Sequence, residues 1–217
     1  MMYYKKIKFF VLFFVILLTF LNLCNLRCRG YENLQKKFLE RHEDIELTLI
    51  IEGKSIENYK NFGKYMIENI PENFEGSYKS EQRENSDEIK GVGNNFNMGV
   101  EIYNESPVSF RIVYSTKNKK ENLEAVKKYI NYLLKEKAYE LRYFQEIKGR
   151  IEIEDNLRET LINELKSLGI EKYSLLKLSN GFTGKAESGN NTINFAICTY
   201  EKKSYIIIGE PIIISTY

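Results

Sequence analysis

Two stretches of this chain change hydrophobic period in the same order, and few folds accept that order twice. Between Asp44 and Ile51 the apolar residues alternate: Ile45, Leu47, Leu49 and Ile51 share one face, with Asp44, Glu46 and Thr48 on the other. A period of two marks a half-buried strand. Past a turn at Gly53, Ile56, Tyr59, Phe62, Met66, Ile67 and Ile70 fall at helical spacing, with Ser55 as the cap and Pro71 as the stop. Alternation returns at Phe96, Met98, Val100 and Ile102, and again at Val108, Phe110, Ile112 and Tyr114. Asn104-Glu105-Ser106-Pro107 joins these two strands as a hairpin turn. The stretch Glu72–Gly93 is mostly polar and reads as a long mobile loop with one edge strand near Phe74–Tyr78.

The same order then recurs. A helical stripe of Leu123, Val126, Tyr129, Ile130, Leu133 and Leu134 follows a capping box formed by Asn118 and Glu121. A strand spans Tyr139–Ile153, interrupted at Gly149. The next helix is capped by Asn156 and Glu159, buries Leu157, Leu161, Leu165 and Leu168, and ends at Gly169. Strands follow near Tyr173–Leu178, Thr192–Tyr200, Ser204–Ile208 and Ile212–Thr216. Ile51-Glu52-Gly53-Lys54 also resembles Ile147-Lys148-Gly149-Arg150, 96 positions later. The expected fold is α+β. Two tandem strand-helix-meander pseudo-repeats, about 44–136 and 139–217, form one curved antiparallel sheet with helices on one face.

Ahead of this domain, Lys5, Lys6 and Lys8 precede an uncharged apolar run from Phe9 to Leu23, and Arg27 and Arg29 follow it. The run is 15 residues long. That matches the upper end of a signal-peptide core, about 7–15 residues, and falls short of the roughly 20 of a spanning helix. Residues 1–29 are therefore a signal peptide or an N-terminal membrane anchor, and residues 30–43 a short helical spacer. Cys28-Arg29-Gly30 is a poor cleavage site, and Leu23 before Cys24 departs from a lipoprotein signal. Positive charge stays on the cytoplasmic side, so the remainder is expected outside the cytoplasm, membrane-anchored or secreted. Five of the 32 basic residues belong to this leader and all 30 acidic residues follow it, leaving 27 basic against 30 acidic residues. A chain balanced in that way lacks the net basic character that nucleic-acid binding draws on.

The catalytic vocabulary is thin. His42, the one histidine, lies in Arg41-His42-Glu43-Asp44 and reads as a solvated surface residue. Cys198 in a strand reads as a small buried hydrophobe, and with Cys24 and Cys28 in the leader there is no disulfide framework. The acid pairs Glu43/Asp44 and Glu154/Asp155 sit at strand edges and helix starts, where acids favour the helix dipole. No phosphate loop, nucleophile elbow or HExxH helix is present. Asn190-Asn191-Thr192 reads as a hairpin turn. Gly181-Phe182-Thr183-Gly184 has two readings: a bulged strand junction, or a surface presenting Phe182 and Thr183. With 16 tyrosines and no tryptophan, residues such as Tyr103 and Tyr200 lie opposite the aliphatic stripes, as a partner surface on an open sheet would require.

The leader, the Gly-Lys and Gly-Arg turns before the helices, Gly181-Phe182-Thr183-Gly184, and the C-terminal Gly209-Glu210-Pro211-Ile212-Ile213-Ile214-Ser215-Thr216-Tyr217 together resemble the YwmB family of exported bacterial proteins. The likeness covers the chain after the leader. It implies a saddle of two sheet-and-helix repeats similar to the TATA-box-binding protein, and it transfers no catalytic residue. The expected function is non-enzymatic binding in the bacterial cell envelope, with Gly181, Phe182, Thr183, Gly184, Tyr103 and Tyr200 as the partner surface. The expected partners are an envelope protein or wall component, and the membrane if the leader is retained. No cofactor, metal site or catalytic residue is assigned. An exported hydrolase acting on wall polymer is the alternative. Nucleic-acid binding rests on fold analogy alone and is opposed by the leader and the charge.

Overall fold

The computed structural model describes residues 31, 33–71, 74–152, 156–188, 191–200 and 202–214, and within them ten strands join one sheet. A helix over 33–41 (α1) leads into β1 (Ile45–Ser55), α2 (Tyr59–Asn69), β2 (Ser77–Gln82), β3 (Ser86–Val92), β4 (Phe96–Tyr103) and β5 (Ser109–Thr116). Then come α3 (Leu123–Leu134), β6 (Ala138–Ile151), α4 (Leu157–Ser167), β7 (Tyr173–Lys177), β8 (Gly181–Ser188), β9 (Asn191–Tyr200) and β10 (Lys203–Glu210). The sheet order is β2-β3-β4-β5-β1-β6-β10-β9-β8-β7, with every neighbouring pair antiparallel. So β1 and β6 lie side by side at the centre, and each opens outward into its own meander.

Strand register sorts the side chains onto two faces. Leu47 stands between Thr116 and Ile147, and Ile51 between Ile112 and Tyr143. Leu47, Ile51, Ile112 and Ile147, with Val100, Ile197, Ile206 and Ile208, belong to the main core, and Tyr143 packs against it. All four described helices cover this face. Helix α2 lies against β4, α3 against β1, and α4 against β8 and β9. Helix α1 reaches β6 at Gly149, where an added Cβ would stand 2.8 Å from the Phe38 ring. That absence of a side chain lets Phe38 bury completely, a transfer worth about 1.5–3 kcal/mol. The expected α+β class, with helices on one side of an antiparallel sheet, is what the chain adopts.

Several sequence expectations need correction. Glu72–Gly93 is no long loop, because β2 and β3 pair as a hairpin from Ser77–Val92 to Gln82–Asp87. Its one-sided burial, Asp87, Ile89 and Gly91 inward, is carried by too few apolar residues to stand out from a polar composition. Residues 30–43 are more than a spacer, since Leu34 and Phe38 belong to the core. Helix α2 is capped by Asn58, whose side chain accepts from the Asn61 N–H, while Ser55 closes β1 and donates to the Lys137 carbonyl. Helix α3 is capped by Asn122, and Asn118 instead makes a local turn with the Lys120 N–H. Asn156 and Gly169 do serve α4 as expected, the glycine at φ +83°. Strand β6 runs through Gly149 without a break. The irregularity falls between Glu52 and Lys54, opposite Glu140 at φ +52°. Gly181-Phe182-Thr183-Gly184 opens a strand, β8, that the sequence did not disclose. Residues 212–214 are not a strand, and 215–217, like the leader and Glu154/Asp155, lie outside the described residues.

The other sheet face carries no helix among the described residues. It has its own small apolar set, Ile50, Phe144, Ala196, Cys198 and Ile207, all buried and outside the main core. Burial raises the Cys198 thiol, in keeping with a packed hydrophobe. Residues 211–214 cross this face above β9, β10 and β6. The Asn194 amide donates to the Pro211 carbonyl, and the Ile214 N–H donates to the Glu146 carboxylate. Gly209 leaves the room, since a Cβ there would lie 2.8 Å from both Ile212 O and Ile213 Cγ1.

Candidate functional site

The helix-free face of the first meander stays open, and a charged row crosses it. Pairing places Glu88 beside Glu101, Glu101 beside Arg111, Arg111 beside Glu52, and Glu52 beside Arg142. Five strands, β3, β4, β5, β1 and β6, thus present one charge each in a line. Directly opposed opposite charges contribute roughly 0.2–1 kcal/mol per pair.

At the β1–β6 end of this row lies a cleft of about 660 Å³, lined by Glu52, Lys54, Tyr103, Arg111, Glu140 and Arg142 among others. Glu52 accepts from Arg142 Nη2 at 2.9 Å, while its other oxygen is 4.0 Å from Arg111 Nε. The Arg111 Nε is buried and has no hydrogen-bond partner. Lys54 Nζ sits 2.7 Å from the Glu140 carboxylate, which raises the lysine pKa. The Tyr103 hydroxyl donates to Glu101 at 2.7 Å, and burial with that carboxylate pushes its pKa up to about 12. Glu140, at the register shift, holds a left-handed backbone that non-glycine residues adopt at a cost. Bulges of this kind re-aim side chains at strand ends.

The residues singled out in the sequence scatter. Tyr103 lines the cleft. Tyr200 is exposed on the same face but at the opposite end of the sheet, beside Lys203. Phe182 pairs with Ile197 on the helix-covered face and packs against the core, so its place on an open partner surface is corrected. Thr183 does face the helix-free side, with its hydroxyl donating to the Phe195 carbonyl at 3.0 Å. Gly181 and Gly184 serve close backbone approach, since an added Cβ would stand 1.9 Å from Ile197 O or from Ser174 O. Gly181-Phe182-Thr183-Gly184 is therefore a packing motif in this fold. The residues that do converge, Glu52, Arg111, Glu140 and Arg142, stood in the sequence only as polar members of alternating strands, and their meeting depends on register.

His42 also departs from expectation. It is 6% exposed, its ring tilted against Phe38 with centroids 4.3 Å apart. Its buried Nε2 has no hydrogen-bond partner and lies 3.5 Å from Glu164, and Arg41 reaches the same carboxylate at 3.1 Å. The His42 and Arg41 side chains pull the Glu164 carboxyl down to about 2. The cluster ties the end of α1 to α4 beneath Gly149, a structural placement remote from the cleft. Among the described residues no group of three or more His, Cys, Asp and Glu is placed to hold a metal ion, and no helix is long and apolar enough to cross a membrane.

No protein-family model matches the chain, and no curated protein sequence matches it.

Proposed function

We propose that this is an extracytoplasmic, non-enzymatic binding protein of the bacterial cell envelope, whose partner contacts the helix-free sheet face over the first meander. The observation that carries this reading is the one-sided distribution of the helices. They occupy one face, and the described tail crosses only the second half of the other. What remains is a charged row with a cleft at its end. The leader, with its basic flank, supports the compartment.

The resemblance to the YwmB family, with a fold like the TATA-box-binding protein, belongs to the same reading. Register supports a tandem duplication. The pairs Ile51–Ile112 and Gly53–Phe110 of the first half have counterparts 96 positions on, Ile147–Ile208 and Gly149–Ile206. The buried positions Leu34 and Phe38 of α1 likewise have Ile130 and Leu134 of α3 as counterparts at that spacing. The exported-hydrolase reading draws on Glu52 and Glu140 sharing one cleft. Loss of wall-polymer hydrolysis on changing either one singly would establish it.

The test uses the full chain in intact cells. A photo-crosslinking side chain at Lys90 on the open face should trap an envelope component, and one at Lys128 on α3 should not. External protease should degrade the domain without lysis. Equal trapping at both positions refutes the surface, and protection from protease until lysis refutes the compartment.

A further inference from the structure

We propose that the cleft binds a ligand carboxylate through Arg142, and that Glu52 moves from Arg142 onto Arg111 as the ligand enters. This deepens the open-face reading and rests on it.

The argument starts from unequal pairing. Two guanidinium groups, Arg111 and Arg142, flank one carboxylate as its direct cross-strand neighbours. Glu52 meets Arg142 at 2.9 Å but stands 4.0 Å from Arg111 Nε, outside hydrogen-bond reach. The neighbour on the other side of Arg111, Glu101, has Oε2 taken up by the Tyr103 hydroxyl. So Arg111 keeps a buried donor with no acceptor, a state that costs free energy until it is satisfied. A shift of the Glu52 carboxylate by about 1 Å toward Arg111 would satisfy it. That shift frees the fork of Arg142, which is 71% exposed and open to a ligand.

Charge selects the class of ligand. The ionic residues of the cleft are Lys54, Arg111 and Arg142 against Glu52 and Glu140. Lys54 and Glu140 satisfy each other, and Glu101 stands beside Arg111 as its other cross-strand neighbour. Once Glu52 turns to Arg111, the Arg142 guanidinium is the charge left to be met, and its fork matches a planar carboxylate in two parallel hydrogen bonds. A peptide carboxyl terminus has this chemistry.

The experiment titrates the full-length chain in detergent with N-acetyl-phenylalanyl-alanine, as the free acid and as its amide, following arginine Nε–H resonances and the thermal midpoint. The free acid should bind saturably, shift the Arg111 Nε–H signal, and bind at least tenfold more tightly than the amide. Arg142→Met should lose tenfold or more and Arg142→Lys should recover part of it, with unchanged midpoints. Glu52→Gln removes the internal competitor and should tighten binding several-fold. Equal binding of acid and amide, no binding of either, or stronger binding of inorganic phosphate overturns the proposal. Weaker binding by Glu52→Gln overturns the displacement of Glu52. If the acid fails to bind while crosslinks at Lys90 persist, only the ligand class is lost. If both fail, the open-face reading falls with it.

Discussion

Glu164→Gln is the substitution whose effect can be worked most fully from the structure. The carboxyl is held at about 2, first by the His42 side chain and then by Arg41. Against an ordinary value of 4.5, full linkage would be about 3 kcal/mol, at roughly 1.4 kcal/mol for each pKa step. Solvent screens part of it, because the Arg41 side chain is 45% exposed, and exposed pairs are worth about 0–1 kcal/mol. The His42 contact is buried, so a net loss of about 1–2 kcal/mol remains. For a domain of this size that lowers the thermal midpoint by about 2–8 °C. The sign of the pH dependence follows from a depressed carboxyl. The stabilisation is complete above pH 4.5 and drains away as pH falls toward 2. Urea unfolding of both proteins at pH 7, 5, 4 and 3 measures it. The gap should be full at pH 7 and narrow from pH 5 to pH 3. A gap absent at pH 7, or constant down to pH 3, would refute the account.

Two further outcomes separate packing from surface roles. Gly149→Ala puts a Cβ 2.8 Å from the Phe38 ring and should cost about 1–3 kcal/mol. Gly99→Ala meets nothing within 4 Å and should be neutral or slightly stabilising, read by the same unfolding curves. Phe182→Ala should lower the thermal midpoint while leaving crosslinking at Lys90 unchanged, because its ring packs on the core side; lost crosslinking at an unchanged midpoint would contradict that placement.

The legible parts of this fold were those where a single stretch carries its own pattern. Leu47, Leu49 and Ile51 alternate without interruption, and Leu161, Leu165 and Asn156 mark α4 by spacing and cap alone. The β2–β3 hairpin was hidden because Ile89 is its only large buried aliphatic, with Asp87 and Gly91 at the other inward positions. His42 looked solvated because its neighbours in sequence are charged. Its burial comes from Gly149, more than a hundred residues away, which lets Phe38 and the imidazole settle on bare backbone. The cleft could not be read at all. Glu52, Arg111 and Arg142 are unremarkable polar positions until pairing of β1 with both β5 and β6 sets them side by side.

The central pairing of β1 with β6 also shapes how the chain must be made. Strand β1 gains β5 as soon as the first meander is complete, but its second edge stays open until Ala138–Ile151 has been synthesised. That waiting edge carries Leu47, Leu49 and Ile51, an apolar template for any strand that arrives first. The strand that fits it need not come from the same molecule. Two nascent chains at high local concentration can exchange second halves across this seam, each β1 meeting the other's β6 in the native register, with the 117–137 connection as the hinge. Such a dimer would keep the hydrogen bonds between β1 and β6, so the rate of intramolecular closure weighs heavily in which of the two forms accumulates.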